Sequence, residues 1–306
     1  MRIAIIGTGG VGGYFGAQLA ASGEDVIFIA RGEHLEAMRS RGLSVESEHA
    51  PAHVFPVSAT DVIEEVGPVD LALVGVKLWD TDEVARRLAP HLSRDSAVLS
   101  LQNGVTKDEI LRRHLTDSAL IGGVCYISAA IASPGVIRHD GSLARIIIGE
   151  FDGQRTERAM RIVQHLVRAG VDAQLSTSIS EVIWEKFVFL VALSSVTTAT
   201  RQPVGVLRRH ERTRRLLRDT MAEVVRVGRA RGIRLPATYA DQQIEFIDTL
   251  PDQMTSSMLN DLLRGGRLEL PWLGESVVDM ARQLWIPTPV NELLSAVLDP
   301  YVAGAP

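Results

Sequence analysis

Apolar runs and amphipathic stretches alternate along the first half of the chain. Short apolar runs that predict buried strands lie at 2–6, 26–30, 69–76, 97–101, 120–126, 136–138 and 144–149. Amphipathic stretches that predict helices lie at 11–22, 33–41, 79–88, 107–114 and 156–169. Strands that alternate with helices are typical of βαβ units, so the pattern predicts an α/β domain with a parallel sheet.

The strand pattern fades after about residue 176. Ser178-Ile179-Ser180-Glu181 is a capping-box pattern and predicts a helix that runs to about Thr200. Further amphipathic stretches lie at 208–231, 237–249, 255–263, 273–284 and 290–298, with prolines between them. We therefore predict an α/β domain over residues 1–175 and an all-helical domain over residues 176–306.

Composition narrows the class of protein. A length of 306 residues favours two domains, and a net charge of −5 argues against an electrostatically driven nucleic-acid binder. A single cysteine excludes an intrachain disulfide framework and a cysteine-cluster zinc site, and we predict no bound metal. The chain opens directly on a strand and shows no apolar run of about 18 residues. We therefore expect a cytoplasmic protein without a membrane span.

The first strand leads into Gly7-Thr8-Gly9-Gly10-Val11-Gly12, which fits the pattern G-x-G-x-x-G. The first glycine permits the tight turn, the second lets the backbone approach a pyrophosphate, and the third lets helix and strand pack closely. Free amides at the start of the following helix can then bind the phosphate. The motif alone is weak, but its position between a strand and a helix predicts a Rossmann-like dinucleotide-binding domain.

The second strand is followed by Arg31. An NAD-preferring site usually places an acidic residue here to bind the ribose 2′-hydroxyl. A guanidinium can instead pair with a 2′-phosphate, so Arg31 favours NADP(H) as the cofactor. The alternative is a solvent-facing arginine after a strand.

Lys186 lies on a helix that carries no charge from Phe187 to Thr200. Burial of an ammonium is costly unless it is paired or its pKa falls, and a lysine with a lowered pKa can donate a proton near neutrality. The chain has only three lysines among its 32 basic residues. An equally weighted alternative is a lysine at the exposed edge of the helix.

Three further residues are candidates for a site. Lys77 and Asn103 each follow a predicted parallel strand, at the edge where α/β sheets bind ligands. Glu269 lies in the apolar stretch Leu268-Glu269-Leu270-Pro271-Trp272 and could accept a hydrogen bond from a substrate or a cofactor. The alternatives are a simple turn at Asn103-Gly104 and a buried structural hydrogen bond at Glu269.

Taken together, these residues resemble the ketopantoate reductase (2-dehydropantoate 2-reductase) family over essentially the whole chain. The matching landmarks, in order, are Gly7-x-Gly9-x-x-Gly12, Arg31, Val76-Lys77-x-Trp79, Gln102-Asn103-Gly104, Trp184-x-Lys186, Ser256-Ser257-Met258-Leu259-x-Asp261 and Glu269. The resemblance implies NADPH-dependent reduction of 2-dehydropantoate to pantoate, in pantothenate and coenzyme A biosynthesis.

The resemblance also implies roles for single residues. On the cofactor side, the glycine motif would bind the pyrophosphate, Arg31 and Lys77 the 2′-phosphate side of the adenosine, and Ala129 would make a backbone contact. Asn103 would touch both cofactor and substrate. Glu269 would lie near the nicotinamide ribose and, with Lys186 and Asn103, belong to the catalytic set.

On the substrate side, Lys186 resembles the general acid and Ser257 a hydrogen-bond donor. The expected substrate-facing positions one and two turns after the lysine are Leu190 and Ser194, where family members often carry asparagine. An apolar side chain there lowers discrimination for a substrate hydroxyl. The alternative function is therefore NADPH-dependent reduction of another bulky 2-oxo acid or an imine. A more remote alternative is a non-catalytic NADP(H) sensor.

The predicted partner is a small 2-oxo acid, and we expect binding to neither nucleic acid nor membrane. The oligomeric state is open, and a homodimer is one candidate.

Overall fold

The computed structural model describes residues 1–304 and divides into two compact units. The first unit comprises Met1–Asn103 and Lys107–Val182, and the second comprises Gly104–Thr106 and the chain from Ile183 onward. The predicted boundary between residues 175 and 176 lies in the short segment between the last strand of the first unit and the helix that carries Lys186.

The strands all lie in the first unit: β1 (Arg2–Ile6), β2 (Asp25–Ile29), β3 (Leu43–Glu46), β4 (Ala52–Val54), β5 (Ser58–Thr60), β6 (Val69–Val74), β7 (Leu92–Ser100), β8 (Leu120–Ser133), β9 (Val136–Gly149) and β10 (Asp172–Leu175). Its helices are α1 (Gly10–Ala21), α2 (Gly32–Arg41), α3 (Thr81–Leu88), α4 (Lys107–Leu111) and α5 (Glu157–Arg168).

The described strands form one ten-stranded sheet in the order β4-β3-β9-β8-β7-β6-β1-β2-β5, with β10 paired to β9. From β8 through β7, β6, β1 and β2 to β5 every pair is parallel. Apolar residues alternate between two faces: Ile3 and Ile5 belong to one buried cluster, whereas Ala4 and Ile6 belong to another. Burial on both faces explains the continuous apolar runs of these strands and confirms the predicted α/β fold.

The prediction of a parallel sheet is incomplete, because β8 and β9 form a long antiparallel hairpin that turns at Pro134–Gly135. The outer half of β8 is rich in small residues that are half-buried or exposed, so no apolar alternation marks it in the sequence. The strands β3, β4, β5 and β10 escaped prediction because they are only three or four residues long.

The second unit is helical, as predicted. Its helices are α6 (Ile179–Thr200, whose first turn belongs to the first unit), α7 (Val204–Arg209), α8 (Glu211–Ala230), α9 (Tyr239–Thr249), α10 (Ser257–Leu263), α11 (Gly274–Gln283) and α12 (Pro289–Leu298). The predicted single helix over 208–231 is wrong at its start, because His210 is extended (φ −99°, ψ 121°) and separates α7 from α8.

The core of the second unit is built around α6, whose residues Phe187, Val188, Val191 and Val196 are at most 1% exposed. By length and composition α6 is apolar enough to cross a membrane, but 67% of its most apolar window is buried within the structure. A central helix of a helical core passes the same test, so its apolarity is explained by packing.

Candidate functional site

The glycine motif forms the connection from β1 to α1. Gly7 has φ +98°, which glycine adopts without strain, and Gly9 precedes the first residue of α1. The amides of Gly7 and Thr8 donate to the carbonyl of Ile29 at 3.2 and 2.9 Å, and the Thr8 hydroxyl donates to the same oxygen at 2.9 Å. The loop is therefore held against the end of β2.

The glycines differ in the space around them. A Cβ on Gly12 would overlap the carbonyl oxygen of Gly7, and one on Gly10 would overlap the carbonyl oxygen of Ala129 on β8. A Cβ on Gly9 would meet no atom within 4 Å. The first turn of α1 is also without a side-chain cap in the part of the chain that the structure describes. Open space beside Gly9 and uncapped amides fit the phosphates of a dinucleotide.

Two basic residues lie at the ends of neighbouring strands. Arg31 follows β2 as the N-cap residue of α2, and Lys77 follows β6. The Arg31 guanidinium lies 3.8 Å from the carboxylate of Asp80, and the Lys77 ammonium lies 5.7 Å from the centre of the Trp79 ring. Since β2 and β6 are the parallel neighbours of β1, both cations flank the glycine loop.

His34, which the sequence reading did not single out, joins three parts of the first unit. It lies in the first turn of α2, and its Nδ1 accepts the amide hydrogen of Gly135 at 3.0 Å, in the turn between β8 and β9. Burial lowers the pKa of His34, and the nearby main chain of Thr8 opposes that shift to a smaller extent. The neutral ring thus lies between the glycine loop and the β8–β9 turn.

Asn103 lies in the segment that connects β7 to α4, next to a hydrogen-bonded side chain. Gln102 donates from Nε2 to the carbonyl of Val76 at 2.8 Å and to the hydroxyl of Thr81 at 2.7 Å, and its Oε1 accepts from the Ser100 hydroxyl at 2.9 Å. The ends of β6 and β7 are thereby tied together beside Asn103.

In the second unit, α6 positions Lys186, Leu190 and Ser194 at intervals of four residues, which places them along one side of the helix. Lys186 and Leu190 are half-buried, whereas Ser194 is fully buried. Lys186 is therefore neither fully buried nor fully exposed.

Two adjacent serines at the start of α10 have different environments. Ser256 is the N-cap residue: its Oγ accepts the amide hydrogen of Leu259 at 3.0 Å and lies 2.8 Å from the hydroxyl of Thr197 on α6. Ser257, the residue expected to face substrate, is exposed. The link from Ser256 to α6 therefore holds the Ser257 backbone in a defined place relative to the helix of Lys186.

Glu269 is 9% exposed and precedes the short 3-10 turn Leu270–Trp272. The neighbouring Leu268 and Leu270 are buried in the core of the second unit. Within the described residues, no group of three His, Cys, Asp or Glu side chains is placed to hold a metal ion.

Of the expected cofactor residues, those of the first unit lie at the carboxyl ends of β1, β2, β6 and β7, together with Ala129 on β8, whereas Glu269 belongs to the second unit. Of the expected substrate residues, Lys186, Leu190 and Ser194 lie on α6 and Ser257 begins α10, whereas Asn103 belongs to the first unit. His34 was not predicted from the sequence, and neither was Lys107, which is 1% exposed and donates hydrogen bonds to the carbonyls of Ser100 and Gly123. The only sequence signal for Lys107 was the scarcity of lysine, because Lys107-Asp108-Glu109 reads as a solvated first turn of a helix.

Comparisons with known proteins identify the family of the chain. Residues 3–153 match the family model described as ketopantoate reductase PanE/ApbA, and residues 178–302 match the model of its C-terminal domain. A relative from Bacillus subtilis, described as the uncharacterized oxidoreductase YkpB, is 28% identical over 99% of both chains.

Solved structures show the same family. A 2-dehydropantoate 2-reductase from Geobacter metallireducens has a TM-score of 0.91 and 31% identity, covering 98% of this chain and 99% of that one. D-mandelate dehydrogenase with NADH has a TM-score of 0.90 at 20% identity, with 98% of each chain covered, which shows a shared fold alone. The chain belongs to the ketopantoate reductase family and is thus an oxidoreductase with a dinucleotide-binding fold.

Proposed function

We propose that the protein reduces 2-dehydropantoate to pantoate with NADPH, a step of pantothenate and coenzyme A synthesis. The observation that carries the proposal is a single chain that matches both family domains and holds an open phosphate loop at Gly9 in the first and Lys186 on α6 in the second. An oxidoreductase needs a place for the dinucleotide and a proton donor for the reduced carbonyl, and these residues supply both.

NADPH is proposed over NADH because Arg31 lies on one side of the glycine loop and Lys77 on the other. A guanidinium can donate two parallel hydrogen bonds to a phosphate, and an ammonium adds a second positive charge. No acidic residue stands at position 31, where an NAD-preferring site would place one.

The bound cofactor supplies the hydride that reduces C2 of the 2-oxo acid. As negative charge grows on the carbonyl oxygen, the Lys186 ammonium stabilises it and then donates a proton, which completes the hydroxyl group. General acid catalysis of this kind contributes about 10²- to 10⁴-fold to the rate. Asn103, Ser257 and Glu269 orient the substrate, and the half-buried position of Lys186 strengthens its interaction with the developing charge.

A second candidate substrate is another bulky 2-oxo acid or an imine. Leu190 favours it, since an apolar side chain one turn after Lys186 offers no partner to the hydroxyl group of 2-dehydropantoate. Ser194 could supply a hydroxyl group further along the same side of α6.

The test measures the rate of NADPH oxidation with 2-dehydropantoate and with 2-oxoisovalerate, and the same rates with NADH in parallel. We expect fast, NADPH-selective turnover of 2-dehydropantoate. NADPH binding with preferred turnover of the other acid would support the second candidate. NADPH binding without turnover of any 2-oxo acid would instead leave a non-catalytic sensor.

The role of Lys186 is tested by two variants. Lys186→Met removes both charge and proton and should lower kcat at least about 100-fold, while NADPH still binds. Lys186→Arg keeps the positive charge but donates its proton poorly near neutral pH, so it should recover only the electrostatic part. Near-normal turnover of Lys186→Met would refute the assignment.

A further inference from the structure

Lys107 is a buried cation that the reaction described above does not use. It is the first residue of α4 and is 1% exposed. Its Nζ donates to the carbonyl of Ser100 at 2.8 Å and to the carbonyl of Gly123 at 2.9 Å. Ser100 is the last residue of β7 and Gly123 lies on β8, so one ammonium holds two adjacent strands together.

The buried surroundings of Lys107 disfavour its charged form. Burial lowers the pKa of Lys107 and raises the pKa of Asp108, whose carboxylate lies 3.6 Å from Nζ and opposes the shift. An isolated pair of parallel strands needs no such group, because its backbone hydrogen bonds already join it. The role of this buried lysine is therefore sought in the neighbouring chain segment.

Beside it lies the segment Leu101–Thr106, which connects β7 to α4 and contains Asn103. Ser100, at the start of this segment, is shared by two interactions: its carbonyl accepts from Lys107 and its hydroxyl donates to Gln102. Gln102 in turn donates to the carbonyl of Val76 and to Thr81. Asn103 is thus bracketed by a held residue immediately before it and another four residues after it.

We propose that Lys107 is a positioning residue for Asn103. Its two hydrogen bonds hold the end of β7 and the start of α4 at one distance, so the segment between them keeps one conformation and the Asn103 amide one place. Reactive geometry tolerates little error, and a displacement of about 1 Å can cost 10²-fold in rate. The inference rests on the proposed function to the extent that Asn103 contacts cofactor and substrate.

The test is a double-mutant cycle of Lys107→Met and Asn103→Ala. Methionine preserves most of the buried volume but donates no hydrogen bond. We expect Lys107→Met to lower kcat about 10- to 100-fold, and to lower it no further when Asn103 is already alanine. Lys107→Gln, which retains an N–H donor, should recover part of the loss.

Ser96→Ala is the matched control. Ser96 lies on β7, the strand that ends at Ser100, and is 1% exposed. It donates to the carbonyl of Val69, the first residue of β6, at 2.6 Å. It should lower the melting temperature without changing kcat. The proposal is overturned if the losses from Lys107→Met and Asn103→Ala multiply, or if Lys107→Met behaves like Ser96→Ala.

Amide hydrogen exchange separates this proposal from the proposed function. Exchange at residues 102–106 should be at least about tenfold faster in Lys107→Met and unchanged in Ser96→Ala, because loss of the two hydrogen bonds permits local opening. If the wild-type protein reduces no 2-oxo acid, the proposed function fails while exchange still decides whether Lys107 holds the segment. Unchanged exchange in a folded Lys107→Met variant would overturn the positioning role.

Discussion

The guanidinium of Arg31 and the carboxylate of Asp80 lie 3.8 Å apart, beyond the ends of β2 and β6 on either side of β1. Arg31 is the residue proposed to bind a 2′-phosphate, so the same cation has an internal partner. Asp80 is about one-third exposed and Arg31 nearly two-thirds exposed, which makes the pair a weak one. A 2′-phosphate would have to share Arg31 with a carboxylate of like charge.

We therefore expect Asp80→Asn to tighten NADPH binding about 2- to 5-fold, the range set by an exposed ion pair, and to leave NADH binding unchanged. The measurement is the dissociation constant of each reduced dinucleotide by fluorescence titration. High salt should shrink the difference, since it screens exposed charges. Asp82→Asn is the control: it removes the same charge from α3, beside Arg113 and His114. An equal change for NADPH and NADH in Asp80→Asn would show that Asp80 does not act on the 2′-phosphate.

Gly9 and Gly12 should respond differently to the same substitution. Gly9→Ala finds open space, so the fold should keep its melting temperature while the added methyl group weakens dinucleotide binding at least about 10-fold. Gly12→Ala places Cβ against the carbonyl oxygen of Gly7 and should destabilise the protein by about 1–3 kcal/mol. Thermal unfolding and NADPH titration of both variants check this. If Gly9→Ala binds NADPH as tightly as the wild type, the phosphates of the dinucleotide do not bind at this loop.

The parts of the fold that could be predicted from sequence are those with one strong pattern. β1 and β6 are buried on both faces and read as apolar runs, and α6 reads as a long apolar helix after a capping box. The outer half of β8 could not be predicted, because its residues are mostly small and only half-buried or exposed, so no apolar pattern marks it. The break at His210 also escaped, since α7 and α8 are both polar on one side.

The candidate site divides in the same way. The glycine motif and Arg31 carry local signals, since a turn and a following cation are readable over a few residues. His34 and Lys107 carry none: their partners are Gly135 and Gly123, which become neighbours only when β8 joins the sheet. Asp80 could be paired with Arg31 only from the register of β2, β1 and β6.

His34 gives the stability of the first unit a pH dependence. Burial lowers its pKa in the folded state, so the unfolded chain binds a proton more readily than the folded protein. The contribution is fully present above the unfolded value of about 6.5 and is lost as pH falls from there through the folded pKa. We expect the unfolding free energy of the wild type to decline over this window, measured by urea unfolding.

Two variants isolate the contribution of His34. In His34→Asn the amide oxygen can still accept the hydrogen bond from Gly135 but has no proton to gain, so the decline below pH 6.5 should become smaller. In His34→Leu the Gly135 amide loses its acceptor, which should cost on the order of 1 kcal/mol at pH 7.5. If His34→Asn retains the full wild-type decline, the titration belongs to another group.

Leu190 should decide how strongly the enzyme recognises the hydroxyl group of 2-dehydropantoate. It lies one turn after Lys186 on the same side of α6 and is half-buried. An amide there can hydrogen-bond a substrate hydroxyl, which a leucine cannot. Leu190→Asn should therefore raise the ratio of kcat/KM for 2-dehydropantoate over 2-oxoisovalerate about 3- to 10-fold, the equivalent of one net hydrogen bond. Leu190→Ala is the matched control, because it shortens the side chain without adding a polar group and should change both acids alike. A ratio that is the same in Leu190→Asn and Leu190→Ala would place the hydroxyl group elsewhere in the site.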